Sequence, residues 1–173
     1  MLEKPRISAI AAIGRNRELG KDNDLIWKFD ADFARMKELI HGHTLVMGRK
    51  TYESIGRELS CPSVVITSDD TYKSPYENPK HTYIATSLEE ALQTAMTIEN
   101  NNAANNKEVF IFGGSRVYTD ALPQTERIYL TKINDENSAA DAFFPEYTNF
   151  TKIIESSQHA ESGIDFTLLT LER

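Results

Sequence analysis

At 173 residues, 40% hydrophobic and 26% charged, the chain has the size and composition of a single soluble globular domain, enough to bury about two-thirds of its surface. Its net charge of −7 argues against nucleic acid and anionic membrane as the main partner, but not against a small anion in a locally positive pocket. Cys61 is the single cysteine, so no internal disulfide and no multi-cysteine metal site is possible, and the four histidines lack metal-ligand spacing. The apolar run in "MLEKPRISAIAAIG" is too short for a secretory core or a membrane span, so a cytoplasmic location is expected.

In chain order, residues 7–13 (ISAIAAI) form an apolar run without polar alternation, which predicts a strand covered on both faces. A helix follows at 30–40 (DADFARMKELI), a strand at 44–48 (TLVMG) and a second helix at 49–56 (RKTYESIG). Strands at 63–67 (SVVIT) and 82–85 (TYIA) precede a helix at 87–98, where Ser87 and Glu90 make a capping-box pattern. The asparagine-rich residues 99–107 predict an exposed loop. A strand at 108–112 (EVFIF), a helix at 115–122 stopped before Pro123 and a strand at 127–133 (RIYLTKI) come next. Residues 150–157 and 164–172, joined by QHAESG, predict an antiparallel hairpin. The fold class is therefore α/β. A single domain over 1–173 is expected, with a mainly parallel twisted sheet of about eight strands, helices on both faces and the hairpin at the end.

The first helix carries two acids. With Asp30 as N-cap, Phe33, Met36, Leu39 and Ile40 fall at about 300°, 240°, 180° and 280° around the axis, one apolar arc. Asp32 falls at about 200°, inside that arc. An acid in a first turn is favoured by the helix dipole in any case. Facing an apolar cleft instead, Asp32 could grip adjacent N–H donors of a flat heterocycle through two charge-assisted bonds.

Two other stretches point to phosphate. The strand at 108–112 runs into Gly113-Gly114 and a helix starts at once, an arrangement that lets backbone approach an anion closely. It is also an ordinary tight turn, and it is not the G-x-G-x-x-G fingerprint. After Gly48, the cations Arg49 and Lys50 open a helix against its dipole, which a bound anion would relieve and a solvated surface pair would also explain. Ligands in such sheets sit beyond the carboxyl ends of the strands.

Taken together, "ISAIAAIGRNRELGKDNDLIW", "DADF", "VMGRKTYESIGREL", "VFIFGGSRVYTDALP", "IYLTKI" and "DAFFPEY" resemble dihydrofolate reductase over essentially the whole chain. The resemblance implies hydride transfer from NADPH to C6 of 7,8-dihydrofolate, with a proton delivered to N5 through water. It implies that Asp32 binds the pterin 2-amino group and N3, with the Thr131 hydroxyl as its partner. Ile10, Ala11, Ala12, Phe33, Met36, Ile55 and Phe112 are then expected to line the pterin and aminobenzoyl slot. Leu25 and Trp27 belong to a loop closing over nicotinamide, and Ala12, Ile13, Leu19, Gly20 and Asn23 lie along its cofactor side. Gly113, Gly114, Ser115, Arg116 and Val117 are expected around the pyrophosphate, with Tyr118 near nicotinamide. Gly48, Arg49, Lys50, Thr51, Thr67 and Ser68 correspond to the adenosine side, including the 2′-phosphate. A monomer with no macromolecular partner is expected.

The chain also departs from the family pattern. Ile26 and Asp30 stand where prolines are common, which leaves the loop more open conformations. Ala142 stands where a threonine is frequent. In "GRELSCPSVVIT", Cys61-Pro62 occupies the place of the arginine that clamps the folate α-carboxylate. Arg57, Lys37 and Lys28 are the candidate replacements. Weak tail recognition, a different reduced pterin, or a degraded folate- and NADP-binding module are the alternative readings. Asp69 and Asp70 after the third strand set NADH against NADPH, since an acid there can take a ribose hydroxyl.

Overall fold

The computed structural model describes residues 4–103 and 106–173. In chain order its elements are β1 (Arg6–Ile13), β2 (Glu18–Lys21), β3 (Asp24–Leu25), α1 (Asp30–Ile40), β4 (Thr44–Gly48), α2 (Arg49–Ser54), β5 (Ser63–Ile66), β6 (Thr82–Ala85), α3 (Leu88–Asn101), β7 (Glu108–Ile111), α4 (Ser115–Ala121), β8 (Arg127–Ile133), β9 (Ala142–Phe143), β10 (Lys152–Glu161) and β11 (Ile164–Glu172). Eight strands make one sheet in the order β10-β11-β8-β1-β7-β4-β5-β6. All pairings from β8 to β6 are parallel, and β11 returns antiparallel to both β8 and β10.

The apolar strands are covered on both faces, as their composition demands. Alternate residues go to opposite sides. Ile7, Ala9, Ala11 and Ile13 of β1, with Val109 and Ile111 of β7, pack beside Ala91, Leu92 and Ala95 of α3 and Tyr118 and Ala121 of α4. Ile10, Phe110, Leu45 and Met47 pack the other way, with Met36, Leu39 and Ile40 of α1 and Tyr52 of α2. The two helix layers thus sandwich the sheet, and the ends of β1, β4, β7 and β8 meet along one edge.

Several expectations change in detail. Asp30 is the first residue of α1 rather than its cap. Phe29 precedes it in extended conformation without a side-chain cap bond, and the Asp30 N–H donates to both Glu161 oxygens at 2.9 and 3.0 Å. The capping carboxylate thus comes from the far end of β10. The hairpin turn is shorter than six residues: Ser162 and Gly163, both at positive φ (52° and 77°), join strands that pair as far as Glu161 and Ile164. This is the primed geometry that matches strand twist. Helix α3 continues through Asn101, so residues 99–101 of the expected loop are helical, while residues 104–105 of it lie outside the described residues. Ser87 accepts from Glu90 N–H at 3.1 Å, and Glu90 reaches back to Thr86 N–H at 2.7 Å, one residue beyond a regular capping box. Strands β2, β3 and β9 form a small separate sheet that their two- to four-residue lengths did not announce.

Candidate active site

The first turn of α1 brings Asp32 over the end of β8, where the Thr131 hydroxyl donates to its carboxylate. Burial pushes the Asp32 carboxyl up from its ordinary value, while the Thr131 bond and the Arg35 charge pull against that rise. The side chain is half-buried, not out in solvent. Asp32 also acts on Tyr118. Burial first, and the Asp32 charge second, raise the Tyr118 phenol, which stays neutral and donates to the Ile10 carbonyl at 2.6 Å. An apolar wall of Ile10, Met36, Ile55 and Phe112 lines the same side of the sheet, and these residues are only partly buried there. Ala12 and Ala31 contact a neighbouring cluster built on Trp27, Phe29 and Phe166. Phe33 is half-buried on α1. Ala11 does not join this wall, because period-2 alternation sends its side chain to the α3 face. The Ile13 side chain is buried on that face too.

Behind Tyr118 lies the double-glycine turn. Gly113 has φ +108°, and a Cβ there would stand 3.1 Å from the Tyr118 ring. The Gly113 carbonyl accepts from Gly48 N–H at 2.8 Å, which locks the ends of β4 and β7 together. A Cβ on Gly114 would meet the Thr51 hydroxyl at 3.2 Å, and one on Gly48 would meet Val117 at 3.4 Å. Neither α2 nor α4 has a side-chain cap at its start. The result is a shallow strip of bare backbone and uncapped N–H groups. Gly113→Ala should cost about 1–3 kcal/mol of stability, read as a lowered Tm. An unchanged Tm would mean the turn tolerates a side chain.

The remaining expected residues sort plainly. Trp27 is buried, and its Nε1–H donates to Asp135 at 2.9 Å. Leu25 is 47% exposed, and Leu19 packs on the core. Gly20 is buried, and a Cβ there would collide with the Asp24 carbonyl at 2.6 Å. Asn23 is exposed at φ 61°. Arg49 pairs with Glu53 at 3.3 Å and lies 5.9 Å from the Tyr72 ring centroid, so part of its conflict with the dipole is answered within α2. Lys50 and Ser68 are exposed, and Thr67 is buried. Asp69 accepts from Thr71 N–H and hydroxyl at 3.0 and 2.7 Å, both at Oδ1, so one of its oxygens serves its own turn. Ser115 donates to the Phe143 carbonyl at 2.6 Å. Arg116 is exposed and pairs with Asp120 at 3.5 Å.

A carboxylate, a phenol and a double-glycine turn thus converge at the strand ends of a parallel sheet. The family model described as dihydrofolate reductase matches residues 6–173. The chain belongs to the dihydrofolate reductase family. A dihydrofolate reductase of Bacillus subtilis (strain 168) is 37% identical over 172 residues, covering 96% of this chain and 94% of that one. One from Staphylococcus haemolyticus is 38% identical over 160 residues, covering 92% of this chain and 86% of the relative. Among solved structures, a dihydrofolate reductase from Enterococcus faecalis complexed with NADP(H) and RAB-propyl superposes with a TM-score of 0.79 at 27% identity, over 97% of this chain and 96% of that one.

Within this dihydrofolate reductase fold, three polar residues of the region escaped the sequence reading. Arg35 sits one turn after Asp32 and bonds to β11. Glu18 is buried and accepts from Asn16 N–H at 2.8 Å and Asn137 N–H at 3.2 Å, tying the loop before β2 to the one before β9. Asp135 holds Trp27. The i,i+3 spacing of Asp32 and Arg35 could have been found, since it puts both on adjoining helix faces. Glu18 meets Asn137 and Asp135 meets Trp27 across more than a hundred residues, pairings that leave no local signal.

Proposed function

We propose that this chain reduces 7,8-dihydrofolate to tetrahydrofolate with NADPH, by hydride transfer to pterin C6 and water-mediated protonation of N5. The observation that carries this reading is the half-buried Asp32 carboxylate, held by Thr131 and sharing its crevice with Tyr118 and the Gly113-Gly114 turn. Family membership and the NADP(H) bound to the Enterococcus faecalis relative support it.

The residues fit the cofactor. Bare backbone at Gly48, Gly113 and Gly114, where any side chain would press on Thr51, Val117 or Tyr118, suits close approach of a pyrophosphate. Ser115, Arg116 and Val117 would flank it, and Arg49, Lys50, Thr51, Thr67 and Ser68 would hold the adenosine end. Gly20, Leu19, Asn23, Ala12 and Ile13 would lie along the nicotinamide side. When bound, NADPH supplies the hydride.

The protein's own residues do the rest. Asp32 accepts from the pterin 2-amino group and N3–H, and its charge favours the protonated pterin. Thr131 fixes which way that carboxylate turns. Ile10, Ala12, Met36, Phe33, Ile55 and Phe112 press the rings flat and exclude water, while the backbone at Ala11 continues the strand edge. Tyr118 spends its proton on the Ile10 carbonyl and so offers its ring rather than an acid. Trp27 and Leu25 close the loop side. Reacting atoms must come within roughly 3–3.5 Å. No covalent nucleophile is required.

Substrate range is where this chain should differ from its relatives. Cys61 is buried, with its thiol 3.2 Å from the Ile40 carbonyl, so nothing at that position reaches toward a glutamate tail. Lys28 is paired with Asp24 at 2.9 Å, which leaves exposed Arg57 and Lys37. Loss of NADPH absorbance should follow addition of dihydrofolate, with a tail-less dihydropterin turned over within about tenfold in kcat/KM. NADH should serve less well, because the cations Arg49 and Lys50 favour a 2′-phosphate over a free hydroxyl. No consumption with either pterin would refute the reading, and a strong preference for the tailed substrate would assign the clamp to Arg57 or Lys37.

A further inference from the structure

Arg35 is half-buried beside the candidate site. It follows Asp32 by three residues, about 60° round the helix and one turn along. Its Nη2 donates to the Leu169 carbonyl at 3.0 Å and to the Thr170 hydroxyl at 2.9 Å. That hydroxyl in turn donates to Glu155 on β10 at 3.4 Å. The guanidinium carbon stands 5.7 Å from the Tyr129 ring centroid. In the sheet Leu168 lies opposite Thr131, Leu169 opposite Leu130 and Thr170 opposite Tyr129. Beyond the Glu161 bond at its first N–H, helix α1 is therefore fastened to the sheet by two side-chain links a turn apart, Asp32 to β8 and Arg35 to β11.

We propose that Arg35 is a positioning residue for the reductase reaction: anchored on β11, its guanidinium keeps the Asp32 carboxylate ionised and seated in the crevice. This rests on the role of Asp32 proposed above. A long cation in an apolar cleft is costly unless its charge is used. The single bonded nitrogen takes two neutral acceptors, which hold the group without neutralising it. The charged or titratable groups around it are Asp32 on its own helix, Glu155 on β10 and Tyr129 on β8. Around Asp32 they are Arg35 and, from α4, Tyr118. Tyr129 is itself engaged by Arg127 at 3.1 Å and by Glu108 at 3.2 Å. Among the described residues, Arg35 is thus the cation whose charge reaches the Asp32 carboxylate, and Glu155 competes for it.

The test titrates Asp32 directly in the whole enzyme, through isotope-labelled aspartate carboxyl resonances assigned by their loss in Asp32→Asn. The pH profile of kcat/KM for dihydrofolate is measured alongside. Arg35→Met should move the Asp32 midpoint to higher pH and lower kcat/KM about tenfold near neutral pH, with the loss shrinking as pH rises. Arg35→Lys should fall between it and the parent. Glu155→Gln should move the midpoint the opposite way. An unmoved midpoint in Arg35→Met, with kcat lowered equally at every pH, would make Arg35 a mere strut and overturn the proposal. So would a rise in KM confined to the tailed substrate. Should Arg35→Met not fold, Glu155→Gln decides, and an unmoved midpoint there rejects the idea. Full turnover by Asp32→Asn would instead remove the proposed role of Asp32, whatever the Arg35 titrations show.

Discussion

Asp32→Asn should slow dihydrofolate turnover about a hundred- to ten-thousandfold near neutral pH, the range a positioned acid–base group contributes, while NADPH binds as before. The asparagine keeps an acceptor for the Thr131 hydroxyl and nearly the same shape, so the crevice stays intact. What disappears is the negative charge that favours protonated pterin. The same change should raise Tm. Burial lifts the Asp32 carboxyl above its ordinary value, so the folded protein binds that proton more tightly than the unfolded chain does. The resulting stability is fully present below the unfolded value, about pH 3.9, and is lost as pH rises through the folded one. At neutral pH the ionised group is then a net cost that asparagine removes. Activity and stability should move in opposite directions, as at sites that hold strain for function. Stopped-assay rates, cofactor titration and thermal denaturation read the three outcomes, and near-parental rates would take Asp32 out of the mechanism.

Glu99→Gln should be the most damaging conservative change remote from the crevice, costing about 3 kcal/mol, or roughly 6–12 °C in Tm for a chain of this size. Glu99 is fully buried at the end of α3. Its carboxylate accepts from Thr44 N–H at 2.9 Å, Glu108 N–H at 3.2 Å and His43 Nδ1 at 2.7 Å. It therefore stitches α3 to the starts of β4 and β7. A carboxylate only accepts, so Nδ1 carries the proton. Glutamine would turn its NH2 against one of those backbone donors and strand it. Burial pushes the Glu99 carboxyl up, but the bonds from His43, Asn102, Glu108 and Thr44 leave it below its ordinary value. The bond to Glu99 raises His43, against the effect of burial. The Glu99 contribution is present above the unfolded value, about pH 4.3, and is lost as pH falls through the folded one. The His43 contribution is present below about pH 6.5 and is lost as pH rises through its folded value. Stability from the pair is thus greatest between roughly pH 4.5 and 6.5, and the glutamine variant should lose that maximum. A Tm within a degree or two of the parent across this range would show the pair to be dispensable.

The sheet was legible because double coverage leaves few polar positions in β1, β4, β5 and β7, mostly at strand starts, so their apolar runs stand out by composition. Asp32 was legible by helical phase, and the glycine turns by what glycine permits. The cap of α1 was not, since it arrives from Glu161 across the fold while Asp30 offered a plausible local substitute. Strand β10 was cut short because it is an exposed edge without apolar alternation. Glu99 was hidden by its setting: an acid at the head of an asparagine tract looks solvated, and it is the convergence of His43 with two backbone N–H groups that makes its burial tolerable. Arg35 stands out less, because it flanks the apolar arc of α1 and a basic residue there reads as an ordinary solvated flank.

The last strand of the chain has a consequence for how the molecule comes into being. Beyond Thr131, the anchors of α1 are Glu161, Leu169 and Thr170, whereas the helix itself begins at Asp30. Translation therefore delivers the helix well before these moorings. Until β10 and β11 are in place, α1 lacks both the carboxylate at its first N–H and the acceptors of Arg35. A product that stops short of β10 carries Asp32, Tyr118 and Thr131 but none of the groups on β10 and β11 that moor the helix bearing Asp32.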